Sequence, residues 1–418
     1  MNSNLPKVIK KSLLTAAICS VSHYAMAAYI ESAVGNAVAY DATGVYYNPA
    51  SMVLVHSPQF VTQAITATVF TQFKGTETQV ATHYSQTGTA DSRSNYFLPG
   101  LFYAMPVTDR VTMGIGELYV DYGNVNYPAD SIVRYVGTHG NVSVLDITPA
   151  VAVKITDKSA VGFGLDAERF SQTLDSMKGF PTLHFSDIKS DNTATAWSAG
   201  AHAGVLFQPA LGTKFGITYH TSVHFDASGK STLYTQPTAT NSNDYYFSVV
   251  APPSTVISLD QFFTPRLGMM TTLERMQWSS IKNVTQHNPV ALVAVGKAVV
   301  PVVVPTVTVP YYFHDTWRAG VGFHYLATPK LLTRLGVAYD EDPNNTSVQT
   351  STSPGADAII TMLGATYKFT KALTLDVRYA HYFYKNKNID TTLVGSNQNG
   401  SLHETRDVIE SSLVVGFM

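Results

Sequence analysis

The stretch Leu373-Thr374-Leu375-Asp376-Val377-Arg378-Tyr379-Ala380-His381-Tyr382-Phe383-Tyr384 has a repeat of two. Leu373, Leu375, Val377, Tyr379 and Phe383 share one face, and Thr374, Asp376, Arg378, Tyr382 and Tyr384 share the other. Successive strand residues point to opposite sides, so this is a strand with one apolar and one polar face. The rhythm recurs. In Ala358–Thr370 the apolar face is Ile359, Leu363, Ala365, Tyr367 and Phe369; in Thr316–Ala327 it is Trp317, Val321, Phe323 and Tyr325. In Lys214–Ala227 it is Phe215, Ile217, Tyr219, Val223 and Phe225, opposite Lys214, His220, His224 and Asp226. A soluble β-sandwich also alternates, but its outer face carries Lys, Glu and Thr, whereas these strands carry little charge. Aromatic residues gather toward the segment ends, as the girdles of a membrane barrel do.

Composition points the same way. Charged residues make up 13% of the 418 residues, against about 25% in ordinary soluble domains. Lys7, Lys10 and Lys11, the apolar Ser12–Val21 and the Ala25-Met26-Ala27 cleavage pattern read as a signal peptide over residues 1–27. The mature chain then begins at Ala28. The single cysteine, Cys19, falls inside that signal, which leaves the mature chain without disulfides or thiolate metal sites. After the signal no stretch reads as a membrane helix. The one long apolar run, Val290 to Val309, is interrupted by Gly296, Lys297, Pro301 and Pro305. A net charge of −2 gives no reason to expect nucleic acid as a partner. Export, low charge and alternation without a spanning helix predict an all-β outer-membrane barrel of a Gram-negative bacterium.

Connections alternate in length. Short ones lie at 106–110, 156–158, 209–212, 264–266, 328–330 and 370–372. Long ones lie near 74–94, 123–140, 175–194, 228–244, 280–313, 340–356 and 386–405. This pattern predicts fourteen antiparallel transmembrane strands over residues 58–418, with short turns in the periplasm and long loops outside. Leu413, Val415 and Phe417 supply the face of a closing strand. Residues 28–57, rich in alanine and glycine with an Asn48-Pro49 turn, do not alternate. They are expected to fill the lumen as an N-terminal hatch, or plug.

Glu31-Ser32-Ala33-Val34-Gly35-Asn36-Ala37 and Asp41-Ala42-Thr43-Gly44-Val45-Tyr46-Tyr47-Asn48-Pro49-Ala50-Ser51-Met52 resemble the N-terminal hatch of the FadL/TodX family, Asn48-Pro49-Ala50 being similar to its NPA tip. Phe97-Leu98-Pro99, Ile147-Thr148-Pro149-Ala150, Asp315-x-Trp317-Arg318-x-Gly320-x-Gly322 and Leu335-Gly336-Val337-Ala338-Tyr339-Asp340 extend the resemblance along the chain. It implies hatch residues at Ala28, Tyr29, Ile30, Asn48, Pro49 and Ala50. It implies a channel for long-chain fatty acids, or alternatively aromatic hydrocarbons. Substrate would be captured at extracellular loops, pass to a pocket above the hatch and leave sideways at a kinked third strand. Expected partners are hydrophobic small molecules, outer-membrane lipid and, during biogenesis, the barrel assembly machinery; the chain is expected to be a monomer.

Strand three carries its own signal. Val111, Met113 and Ile115 are odd-numbered, whereas Leu118, Val120 and Tyr122 are even-numbered. This phase slip predicts a bulge over Gly114–Glu117, with Gly114, Gly116, Glu117 and Tyr119 forming a lateral gate; a strand that leaves the membrane near Gly116 is the alternative. Arg318, Arg334, Arg378 and Lys154 point inward by phase. The three arginines are candidate contacts for a substrate carboxylate, or else partners of inward acids such as Asp146, Asp166, Glu168 and Asp376. His220 and His224 share a face but are separated along a strand by about 13 Å, too far to hold one metal together. With no nucleophile elbow or zincin motif, no catalytic residue, metal or cofactor is expected; a lipase with scattered Ser and His, or a water-filled porin, are the competing functions. Val290–Val309 reads equally as an extracellular capture surface or as a hairpin capping the barrel.

Overall fold

The computed structural model describes residues 36–80, 82–295, 298–391 and 396–417. The signal segment 1–27 and the expected hatch residues Ala28, Tyr29 and Ile30 lie outside the described residues. The strands are β1 Gln59–Gln79, β2 Ser85–Pro106, β3 Val111–Asn126, β4 His139–Thr156, β5 Ser159–Phe180, β6 Phe185–Ala210, β7 Thr213–His220, β8 Val223–Leu233, β9 Thr240–Ala251, β10 Ser254–Phe262 and β11 Leu267–Met276. They continue with β12 Asn283–His287, β13 Val290–Val295, β14 Ala298–Val303, β15 Thr306–Pro310, β16 Thr316–Thr328, β17 Leu331–Asp340, β18 Ala358–Lys368, β19 Leu373–Tyr384, β20 Lys387–Asp390 and β21 Ser396–Gly416. Each barrel strand pairs antiparallel with its neighbours. The first, β1, also pairs with the last, β21, from Gln59↔Gly416 to Gln79↔Ser396. That closure joins the first strand to the last. β7 with β8 make one barrel strand and β9 with β10 another, so the barrel has fourteen strands.

The predicted faces follow. Ile359, Leu363, Val377, Phe383, Leu335 and Phe163 are exposed on the outer surface, while Asp376, Arg378 and Glu410 are buried within. All six short turns fall where the sequence puts them. Of the expected long loops, only those near 123–140 and 340–356 are mostly free of strand among the described residues. Residues near 74–94 and 175–194 are mostly strand, with connections reduced to the segments between Gln79 and Ser85 and between Phe180 and Phe185. These extensions have polar side chains on both faces, tied across the ladder by pairs such as Thr76 with Thr87 at 2.7 Å and Gln72 with Asp91 at 2.9 Å. Cross-strand hydroxyl and amide pairs hold a strand as well as apolar ones do, but they leave no contrast of faces to read.

A further correction concerns β7 and β8. Phe215, Ile217 and Tyr219 face outward as expected, but Val223 and Phe225 are buried inside. The chain breaks at Thr221-Ser222, where Thr221 N–H donates to Ala201 O at 2.9 Å, and the facing strand breaks at Pro252-Pro253. Two prolines offer no N–H to the ladder. Beyond both breaks the phase inverts. Val223, Phe225, Ala227, Tyr245 and Phe247 therefore turn into the lumen, where they pack with Phe170 and Val144.

The valine-rich run forms its own hairpin, β13 with β14. It stands beside β8 and β9, with Val293 and Val303 exposed and Val290 N–H donating to Ser231 Oγ at 2.8 Å.

Candidate transport site: lumen segment, cavity and side gap

Residues 36–57 lie inside the barrel. A short helix, α1 Gly44–Tyr47, leads into a 3-10 turn, Pro49–Leu54. Asn48 joins them and uses its whole amide. Its Oδ1 accepts from Ala50 N–H at 3.0 Å, and its Nδ2 donates to Ala37 O at 2.6 Å and to Val205 O of β6 at 3.1 Å. Pro49 opens the turn, where a missing N–H costs nothing. Ala50 is fully buried because β5 comes very close. A Cβ on Gly162 would lie 2.3 Å from both Pro49 C and Ala50 N, and one on Gly204 would lie 1.9 Å from Asn48 Oδ1. Glycine inside a strand here marks close backbone approach. Further ties run from Ala37 N–H to Ser258 Oγ (2.9 Å), from Ala42 N–H to Gln59 Oε1 (2.8 Å) and from Tyr40 OH to Asp260.

Above this segment, farther from the short turns, lies a cavity of about 500 Å3. One wall is apolar: Val142, Phe170, Phe247, Val249, Met276 and Val284. Phe247 and Val249 join it because β9 inverts its phase. The opposite wall carries Arg318, Asp340, Tyr384 and Arg406. Arg318 is held between Glu274 (3.1 Å) and Asp340 (3.0 Å). Arg406 meets one carboxylate, Glu404 at 3.1 Å, and its guanidinium lies over the rings of Tyr382 and Tyr384 at 5.4 and 5.7 Å.

The ladder between β2 and β3 is short. It runs from Pro106↔Thr112 to Leu101↔Glu117 and stops. The next β2 residues are Gly100 and Pro99, and Pro99 has no N–H to donate. Farther up, bridges that each involve a side chain join the two strands: Tyr96 and Tyr122 rings lie 4.6 Å apart, Ser94 Oγ donates to Asn124 Oδ1 at 3.2 Å, and Asn126 N–H donates to Ser92 Oγ at 2.7 Å. Between these limits no ladder pair joins β2 to β3, which leaves a gap in the ladder beside Leu98 and Leu118. Leu118 and Val120 pack with Phe102, Val45 and Met52. Asp121 and Tyr122, just beyond, line the cavity.

The bulge in β3 sits later than expected. Its register with β4 shifts between Tyr119 and Asp121, leaving Val120 extra. Gly114 and Gly116 remain in regular pairs on both sides. They face inward and make room. A Cβ at Gly114 would meet Val45 Cγ2 at 2.4 Å, and one at Gly116 would meet Phe102 Cδ1 at 2.9 Å. Leu118 is even-numbered because it belongs to the inner core, not because the strand has already slipped. Glu117 consequently stays on the outer face, at the lower lip of the gap. Tyr119 is the last paired residue before the bulge.

The candidate arginines separate. Arg334 and Arg378 lie away from the cavity in a buried network, Arg334 to Asp376 at 2.7 Å and Arg378 to Asp376 and to Glu410, the latter at 2.7 Å. Arg318 alone of the three lines the cavity. Lys154 pairs with Asp157 at a turn, at 3.0 Å. Arg406 escaped the sequence reading, although its phase was available two steps at a time from Glu410, Ser412 and Val414.

Comparison with known proteins is decisive for the family. Residues 14–414 match the outer membrane protein transport protein family (OMPP1/FadL/TodX). The chain belongs to that family. Members are transport channels of the outer membrane, and this one is an outer-membrane β-barrel transporter of hydrophobic compounds. Outer membrane protein P1 of Haemophilus influenzae is 24% identical over 88% of this chain and 86% of that protein. A long-chain fatty acid transport protein of Escherichia coli is 20% identical over 88% and 89%. In fold, a FadL homologue of Pseudomonas aeruginosa aligns with a TM-score of 0.80 at 18% identity, covering 93% of this chain and 97% of its own. The toluene transporter TbuX of Ralstonia pickettii aligns at 0.64 with 18% identity, covering 93% and 98%.

Proposed function

We propose that this chain carries long-chain fatty acids from the outside into the cavity and releases them sideways, between β2 and β3, into the membrane. The observation that supports this reading is that Asp121 and Tyr122, which line the cavity, follow closely on the point where β3 stops pairing with β2. Residues 28–57 act as the hatch, closing the way straight down. A hydrocarbon chain gains by staying out of water throughout such a route. The apolar wall around Phe170 and Phe247 takes the chain, and Arg406 takes the carboxylate. Of the two arginines lining the cavity, Arg406 is the one not already held between two acids.

A second reading, transport of aromatic hydrocarbons, is favoured by the aromatic lining of Trp278, Tyr311 and Phe313. Arg406→Gln separates the two. Loss of a charged hydrogen bond costs about 1.5–3 kcal/mol, so binding of labelled fatty acid to the purified variant is expected to weaken roughly ten- to hundredfold. Toluene uptake by cells carrying the variant is expected to stay at the wild-type level. Equal losses for both compounds, or for neither, contradict the fatty-acid assignment.

A further inference from the structure

On the inner wall beside the lumen segment, β4 and β5 bring three carboxylates together. Asp146 and Glu168 are direct partners across the ladder, and Asp166 follows two residues along on the same face. All three are buried, Asp146 completely. Among the described residues no lysine or arginine forms an ion pair with any of them; the one recorded partner is His202, 2.7 Å from Asp166. Neither oxygen of Asp146 is hydrogen-bonded, nor is Oε2 of Glu168. Carboxylates buried at such a density are either protonated or balanced by positive charge. Two imidazoles complete the group. His202 of β6 and His220 of β7 are partners across their ladder, with rings stacked at 4.8 Å. One ligand atom from each of Asp166, His202 and His220 falls within 4.8 Å of the others.

We propose that Asp166, His202 and His220 bind a divalent metal ion of the zinc class, with Asp146 and Glu168 balancing its charge. Two bonds of about 2.1 Å put ligand atoms on one zinc ion no more than about 4.2 Å apart. Tetrahedral geometry brings such atoms to about 3.4 Å, so closing from 4.8 Å takes a movement of about 1.4 Å. The surroundings are already those of metal-bound ligands. His202 Nε2 lies 2.8 Å from Val45 O, and Thr148 Oγ1 donates to Asp166 Oδ1 at 3.0 Å. A ligating histidine characteristically donates its other N–H to a backbone carbonyl. In this structure Nδ1 of His202 faces Asp166 and Nε2 faces Val45 O. With the ion on Nδ1, Nε2–H donates to Val45 O. Because Val45 belongs to the lumen segment, the ion clasps that segment to the barrel wall. The sequence hides this site. It lies across neighbouring strands, whereas His220 and His224 run along the chain.

The test is metal content. Full-length protein purified in detergent, stripped with a chelator, reloaded with Zn2+ and dialysed, is expected to retain one zinc ion per chain. Asp166→Asn and His220→Gln are expected to lose it, and the outward His224→Gln to keep it. Retention by all variants alike, or by none of the proteins including wild type, overturns the proposal. X-ray absorption of the zinc-loaded wild type decides independently of any variant's folding: imidazole scattering from two histidines supports the site, and a shell without imidazole overturns it.

Discussion

Arg378→Met is expected to destabilise the barrel by about 3–5 kcal/mol, the cost of breaking a buried ion pair from one side. Arg378 is 1% exposed, Asp376 0% and Glu410 1%. Its guanidinium bonds both acids, and each acid has another partner, Arg334 for Asp376 and Gln63 for Glu410. Removing it strands negative charge between β19 and β21 at the level where the barrel closes on β1. Methionine fills the volume but supplies no donor. Reversible unfolding of the protein in lipid vesicles by urea measures the loss. A change below about 1 kcal/mol, the scale of an exposed ion pair, contradicts the buried network.

Gly162→Val is expected to act on a different quantity. The new Cβ would sit 2.3 Å from main-chain atoms of Pro49 and Ala50. Neither is the end of a side chain able to rotate away, so the turn must lift from its seat. Overpacking of this kind costs about 1–3 kcal/mol. The barrel ladder does not depend on it, so the strands are expected to remain paired. The expected signature is a rise in ion conductance in planar bilayers, with the heat-modifiable mobility of a folded barrel retained. Unchanged conductance contradicts the view that the lumen segment seals the barrel.

These two sites show what a sequence of this kind reveals and hides. Strands β16 to β19 are legible because the outside is lipid and the inside polar, so Leu335, Ile359, Leu363 and Phe383 contrast with their neighbours. That contrast vanishes where a strand leaves the membrane, and Ser85–Ser94 and Ser176–Thr193 read as loops for that reason alone. It is misleading where the lumen itself is apolar. Val223 and Phe225 continue the outward pattern of β7 in sequence but point inward, since the break at Thr221-Ser222 lies between them and Tyr219. In β3, inward Leu118 imitates a slip that the backbone makes only at Val120. Asn48-Pro49-Ala50 was readable as a motif, but its seat was not. Gly162 and Gly204 gain meaning only when β5 and β6 are set opposite the turn. The same holds for Arg406, and for the acids around His202, whose proximity is a matter of register between strands.

The proposed exit for substrate is the wall beside β3. Deleting Val120 removes the extra residue, so that Tyr119↔Leu145 is followed directly by Asp121↔Val144, and Pro99→Thr returns an N–H to the facing strand. The combined variant is expected to pair β3 with β2 beyond Leu101↔Glu117. Uptake of labelled fatty acid by cells carrying it measures the route, with folding verified by heat-modifiable mobility. Uptake is expected to fall to that of cells lacking the protein; wild-type uptake through a folded barrel with β2 and β3 fully paired would rule out exit beside β3.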